Sequence, residues 1–289
     1  MLVSLASTQL LVGCGEYESG ERGRPADGRG ESAAQPLDRL PRPVDVRRAA
    51  EFAATRGESV AFAVVDSHGR LHGFRATVPF QSASVTKALL LAAYLDRARE
   101  APLDAATRTR LRAMITYSDN DAADTIYAAV GDSGLEAVAA RAGMRDFVPA
   151  GYWSEASITA RDMAWFMWRL EHRSLGPRHR DFAMRLLASV VPEQRWGIPA
   201  AAGDDWSTWF KGGWRESASG QLVHQAALLR GGGRKLAIVV LTDALPSHEY
   251  GTETVRGIAA RLVAAGVRPV TRPRRRAPSG SASSARPGS

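Results

Sequence analysis

Lysine is scarce in this chain: of 38 Lys plus Arg residues, only Lys87, Lys211 and Lys235 are lysines. Arginine keeps its proton at any useful pH and lysine does not, so a lysine in an arginine-biased chain can mark a place where a proton is given up, while Lys235, at the start of an apolar strand, reads as a chance position. Cysteine is scarcer still. Cys14 stands alone, which excludes an internal disulfide. No run of about 18 apolar residues occurs, so nothing inside the chain is expected to span a membrane. The six histidines (68, 72, 172, 179, 224 and 248) show no metal-ligand spacing; no metal and no cofactor are expected. His68 and His72 flank a turn, and His224 reads as a core residue on a strand. The net charge of +8 suggests nucleic acid, but Arg268, Arg272, Arg274, Arg275, Arg276 and Arg286 lie in an end segment without acids. Subtracting those 6 from 8 leaves +2, a near-neutral body without the basic face a nucleic-acid binder needs.

What is present divides the chain. Residues 1–14 are apolar and end in Leu11-Val12-Gly13-Cys14. This order resembles a bacterial lipoprotein processing site, although a basic n-region is missing. The resemblance implies a lipid at Cys14 and an extracytoplasmic protein, secreted or anchored to the outer face of the cell membrane. Residues 15–43 are rich in Gly, Glu, Arg, Pro and Ala and read as a flexible linker. Residues 44–266 hold enough apolar sequence for a real core. Residues 267–289 form a basic tail expected to be solvated.

Within the body, Val44 to Arg56 has helical spacing. Ser59 to Asp66 and Arg70 to Ala76 read as a hairpin around Ser67-His68-Gly69. Helices are expected over Ala88 to Arg99, Asp104 to Ile115, Asn120 to Val130, up to Arg141, Thr159 onward, and Arg180 to Val190. Ser133 with Glu136 and Thr159 with Asp162 read as capping boxes. Gly131-Asp132-Ser133-Gly134 therefore serves a helix start and is not a nucleophile loop. Met163, Phe166, Met167 and Leu170 share one face and read as core. Three strands follow, Ser207 to Trp214, Gln221 to Arg230 and Lys235 to Asp243, with Gly231-Gly232-Gly233 as a turn. A helix from Glu249 to Ala265 ends the body. This order predicts an α+β fold: a five-stranded antiparallel sheet flanked by helices, plus a helical lobe.

The chemistry centres on Ser84-Val85-Thr86-Lys87 at a helix start. Residues three apart there face the same way. The hydroxyl meets the positive end of the helix, and a buried Lys87 sheds its proton more easily and can take that of Ser84. Alone the pattern is weak. Further on come Ser118-Asp119-Asn120 in an interhelical loop and Lys211-Gly212-Gly213 on a strand. In this order the three resemble the motifs of class A β-lactamases and penicillin-binding proteins, over roughly Val44 to Ala265.

The resemblance implies that Ser84 is acylated with Lys87 as its base, and that Ser118 relays a proton between Lys87, Lys211 and the leaving nitrogen. Asn120 would bind a substrate amide, with Asp119 bracing the loop. Lys211 would offer charge to a substrate carboxylate, and Gly213 would let the substrate lie along the strand. The N–H groups of Ser84 and Trp214 would form an oxyanion hole. The implied partner is a small molecule, a β-lactam or a peptidoglycan peptide, and the protein is expected to be a monomer. Four departures matter. Gly212 replaces a hydroxyl residue. Ser118 follows Ser84 by only 34 positions. The loop before Thr159 lacks the Glu-bearing segment, with Glu155 its only nearby carboxylate and expected at the surface. The strand from Gln221 carries no carboxylate-binding Arg, leaving Arg215 as a substitute. Acylation is thus expected and fast deacylation is not. Trp153, Trp206, Trp209 and Trp214 are candidates to line the cleft, though burial is the ordinary fate of Trp.

Overall fold

β-branched and aliphatic runs build the centre of the molecule, seen in a computed structural model that describes residues 41–99 and 101–263. The segment expected at 1–14 with Cys14, most of the linker and the basic tail lie outside the described residues. The elements run α1 (Pro43–Ala54), β1 (Val60–Val65), β2 (Leu71–Phe74), β3 (Pro79–Gln81), α2 (Lys87–Ala98), α3 (Ala105–Arg112), α4 (Asn120–Ala142), β4 (Ser157–Thr159), α5 (Ala160–Trp168), α6 (Arg180–Ala188), α7 (Ile198–Ala202), β5 (Ser207–Ser217), β6 (Gly220–Gly231), β7 (Arg234–Thr242) and α8 (His248–Val263). The main sheet has the order β2-β1-β7-β6-β5, and every neighbouring pair is antiparallel. The fold is the expected α+β arrangement, with five strands and helices on both faces.

The two-residue period of a strand divides the core into two layers. Ala61, Ala63 and Val65 of β1, with Val239 and Leu241 of β7, face α2, α4 and α5. Val60, Phe62 and Val64, with Ile238 and Val240, face α1 and α8. β1 is buried along its whole length, which is why its sequence VAFAVV shows no polar alternation. α2 is apolar nearly all round: Leu89, Leu90 and Leu91 are each fully buried, at roughly 1.5–3 kcal/mol apiece. That burial fixes the helix that carries Lys87. Met163, Phe166, Met167 and Leu170 are core, as their spacing predicts.

Some expectations are corrected. Gly131 sits at φ 60°, ψ −173° and breaks α4 into two stretches. The Ser133–Glu136 capping box does not form, since neither side chain hydrogen-bonds to a described residue; the neighbouring Asp132 instead accepts from Tyr127 Oη and Gly151 N. At α5, Thr159 Oγ1 accepts from Asp162 N, while the Asp162 carboxylate turns away to accept from Arg145 N and Asp146 N. A small ribbon pairs β3 with β4, Phe80 opposite Ile158. It ties the segment before Ser84 to the loop that carries Trp153 and Glu155.

Candidate active site

Ser84 lies in a single 3-10 turn, Ala83–Thr86, that leads directly into α2, whose first residue is Lys87. Ala83 takes φ 44°, a conformation costly for a side-chain-bearing residue. The turn is held from behind by Ser82 Oγ, which donates to Trp153 O at 3.1 Å. Ser84 is half-buried, and its hydroxyl is tied to no described residue. Gly213 presses on this turn. A Cβ at Gly213 would stand 2.8 Å from Val85 N and 2.9 Å from Ser84 N, so only glycine lets β5 come this close.

The loop Ser118–Asn120 arrives from the other side. One π-type turn, Ala113–Tyr117, ends on Ser118 in the left-handed conformation, φ 62°, ψ 30°. Asp119 then caps α4, accepting from Ala122 N at 2.7 Å. Lys87 Nζ donates to Ser118 O at 2.5 Å, Asn120 Oδ1 at 2.7 Å and Ser118 Oγ at 3.3 Å. Lys211 Nζ donates to Ser118 Oγ at 3.0 Å and to Gly212 O at 2.7 Å. Ser118 Oγ therefore bridges two lysines 124 residues apart in sequence (211 − 87), and both are fully buried. Burial lowers Lys87 to about 8, against the opposing pull of the Asp119 and Asp124 carboxylates. Burial, and secondarily the charge of Lys87, drives Lys211 well below its ordinary value. Lys235, the third lysine, pairs with Glu171 at 3.3 Å and hydrogen-bonds to no motif residue.

Trp153 closes the site behind Lys87. Its ring centroid is 4.6 Å from Lys87 Nζ, it is 3 % exposed, and its Nε1 donates to Asp124 Oδ1 at 2.7 Å. Tyr152 Oη donates to the same oxygen at 2.6 Å. Glu155, expected as a free surface carboxylate, is half-buried. It accepts from Arg215 on both oxygens, one contact 3.2 Å long, and from Gln81 Nε2 at 3.1 Å. The Arg215 hydrogen bond holds the Glu155 carboxyl below the usual range. Arg215 also donates to Gln81 Oε1, so the residue expected to receive a substrate carboxylate already holds an internal one.

On the other face of β5, Trp214 meets Trp196, a residue the sequence reading passes over. Their ring centroids are 5.8 Å apart, edge to face. The missing hydroxyl at Gly212 is replaced by aromatic surface. A Cβ there would meet Trp196 at 3.4 Å and Trp214 at 3.6 Å. Gln225 holds the Trp196 segment in place. Its Oε1 accepts from Ile198 N at 2.6 Å and its Nε2 donates to Trp196 O at 2.9 Å. Of the other cleft candidates, Trp206 is core and Trp209 packs at the edge of the lobe-side layer. His224 is core, as expected. Fully buried and lowered to about 4 by that burial, it accepts at Nδ1 from Thr242 N at 3.0 Å, leaving Nε2–H to donate to Gln81 O at 2.8 Å. Among the described residues no His, Cys, Asp and Glu cluster could hold a metal, and no helix is long and apolar enough to cross a membrane.

The model of the β-lactamase enzyme family matches residues 106–265, more than half of the 289. The chain belongs to this family. Solved structures agree on the fold. A β-lactamase from Sphaerobacter thermophilus superposes with a TM-score of 0.65 at 21 % identity, over 77 % of this chain and 98 % of that one. A class A β-lactamase from Mycobacterium abscessus gives 0.65 at 19 %, over 76 % and 98 %. PBP-A gives 0.66 at 18 %, over 78 % and 98 %. No curated protein matches the sequence. The matched stretch begins after Ser84 and Lys87, so it is the geometry that attaches this pair to the rest of the site.

Proposed function

We propose that the protein is a serine hydrolase or acyltransferase that forms an acyl-enzyme at Ser84 with a β-lactam or a D-Ala-D-Ala-type amide. The observation that carries this reading is the placement of Ser118 Oγ between the amines of Lys87 and Lys211, the latter on a strand whose Gly213 lies against the Ser84 turn. Lys87, in its uncharged form, takes the Ser84 proton as Ser84 Oγ bonds to the acyl carbon. The carbonyl oxygen becomes an oxyanion against the N–H groups of Ser84 and Trp214. As the C–N bond breaks, the leaving nitrogen takes the proton of Ser118, and a lysine ammonium returns one to Ser118. Asn120 keeps its amide N–H₂ for the substrate while its Oδ1 holds Lys87.

Release of the acyl group is the slow step in this reading. The Trp153 ring packs against Lys87, and Glu155, the nearby carboxylate, is held by Arg215. That observation also favours a second reading, a protein that binds such ligands without turnover. With Leu11-Val12-Gly13-Cys14, the proposal includes a lipid at Cys14 and a place at the cell envelope. A fluorescent penicillin should label the wild type and leave Ser84→Ala unlabelled; a label that persists in Ser84→Ala removes the nucleophile assignment. Following the adduct by intact mass separates the two readings: release identifies a hydrolase, and a lasting adduct a binder.

A further inference from the structure

Charge at this site points to a narrower class of acyl donor, given the proposed acylation at Ser84. Three basic side chains lie near the motif residues, and each already has hydrogen-bond partners within the chain. Lys87 spends its N–H groups on Ser118 and Asn120 and sets its remaining side against Trp153. Lys211 is fully buried, spends its N–H groups on Ser118 Oγ and Gly212 O, and forms no ion pair among the described residues. Burial lowers it well below its ordinary value, which disfavours a positive charge there. Arg215 holds Glu155 with both terminal nitrogens. A substrate carboxylate would have to displace this charge-assisted, two-point pair.

Aromatic surface stands where a further cation or hydroxyl is wanting. β5 is an edge strand, so a ligand along its free edge reaches both of its faces. Beyond Gly212 lie Trp196 and Trp214, both half-buried and edge to face, with the His248 ring 5.6 and 5.8 Å from them. Burial lowers the His248 imidazole, so this third ring is also uncharged at neutral pH. Ring faces carry negative potential, which repels a carboxylate and accepts the edge of another ring.

We infer that the acyl donor is uncharged at the end lying along β5 and carries a flat aromatic group there in place of a free carboxylate. The inference depends on Ser84 being the nucleophile and narrows the proposed donor to β-lactams or amides whose carboxylate is masked, excluding a D-Ala-D-Ala peptide with a free C-terminus. Benzylpenicillin, its methyl ester and its benzyl ester present the same β-lactam carbonyl to Ser84 and differ only at that end, which stays in the adduct after ring opening. Intact mass at neutral pH should show Ser84 acylated fastest by the benzyl ester, at about ten times the rate of the free acid, with the methyl ester between. Trp196→Ala should bring the two esters to equal rates; Trp196→Phe, which keeps a ring and guards against a folding defect, should retain the benzyl preference. Glu155→Gln releases Arg215 and should raise the free-acid rate relative to the esters. A free acid that acylates wild-type Ser84 as fast as the esters overturns the inference and leaves the nucleophile intact. Absence of all three adducts, or adducts persisting in Ser84→Ala, overturns the nucleophile and the inference with it.

Discussion

Raising the pH from 6 to 9 should accelerate acylation of Ser84, because the base has to lose a proton before it can accept one. Lys87 does so at about 8, burial outweighing the carboxylates of Asp119 and Asp124. Its uncharged fraction is then about 1 % at pH 6, about 10 % at pH 7 and about half at pH 8, so the rate climbs roughly tenfold per pH unit before it flattens near 9. Lys211 is also lowered, well below its ordinary value, by burial and by the charge of Lys87. Lys87→Arg cannot discharge and should lose the reaction by about 10²-fold or more at every pH. The same group sets a stability signature. The folded value of about 8 is below the ordinary 10.5, so between these pH values the folded state binds fewer protons than the unfolded state, and stability rises with pH. At about 1.4 kcal/mol per pH unit the gain is at most roughly 3 kcal/mol. Urea unfolding of wild type and Lys87→Met should therefore diverge by up to that amount between about pH 8 and 10.5. A flat rate profile between pH 6 and 9, a midpoint near 10.5, or a wild-type curve parallel to that of Lys87→Met would refute the assignment of Lys87.

Gly213→Ala places a methyl group against two backbone nitrogens of the Ser84 turn. It should slow acylation by about 10²-fold, through a displacement of less than 1 Å between β5 and the turn, while costing only about 1–3 kcal/mol in urea unfolding. A variant with unchanged acylation would separate Gly213 from the site. Asp119→Ala removes the cap on Ala122 N and should cost about 1 kcal/mol of stability in thermal unfolding, most of it restored by Asp119→Asn, which can also cap.

Much of this architecture is legible from residue types. The long strands announce themselves by aliphatic runs, and α2 by a stretch of leucines and alanines that only burial explains. The motif residues Ser84, Lys87, Ser118, Asn120, Lys211 and Gly213 converge because a helix start, a capped loop and an edge strand each carry one part. What escapes the sequence depends on partners far away in the chain. β3 and β4 have three residues each, too few for any period to show. Arg215 finds Glu155 across 60 residues, and no local pattern marks that pair. Trp196 lies in an irregular stretch between Pro192 and Pro199, and its position is set by Gln225 on β6. One signal was available. His224 and Gln225 interrupt an otherwise apolar strand, and polar groups buried there require partners. Those partners are Gln81, Thr242, Trp196 and Ile198.

Ser118 holds its backbone at φ 62°, a region glycine and asparagine enter easily and serine does not, at a cost of roughly 1–2 kcal/mol. Its hydroxyl is therefore kept against local preference. Directed evolution of this chain for heat resistance alone, with no activity screen, should drift toward glycine at position 118 and yield sturdier proteins that have lost the bridge between the two amines.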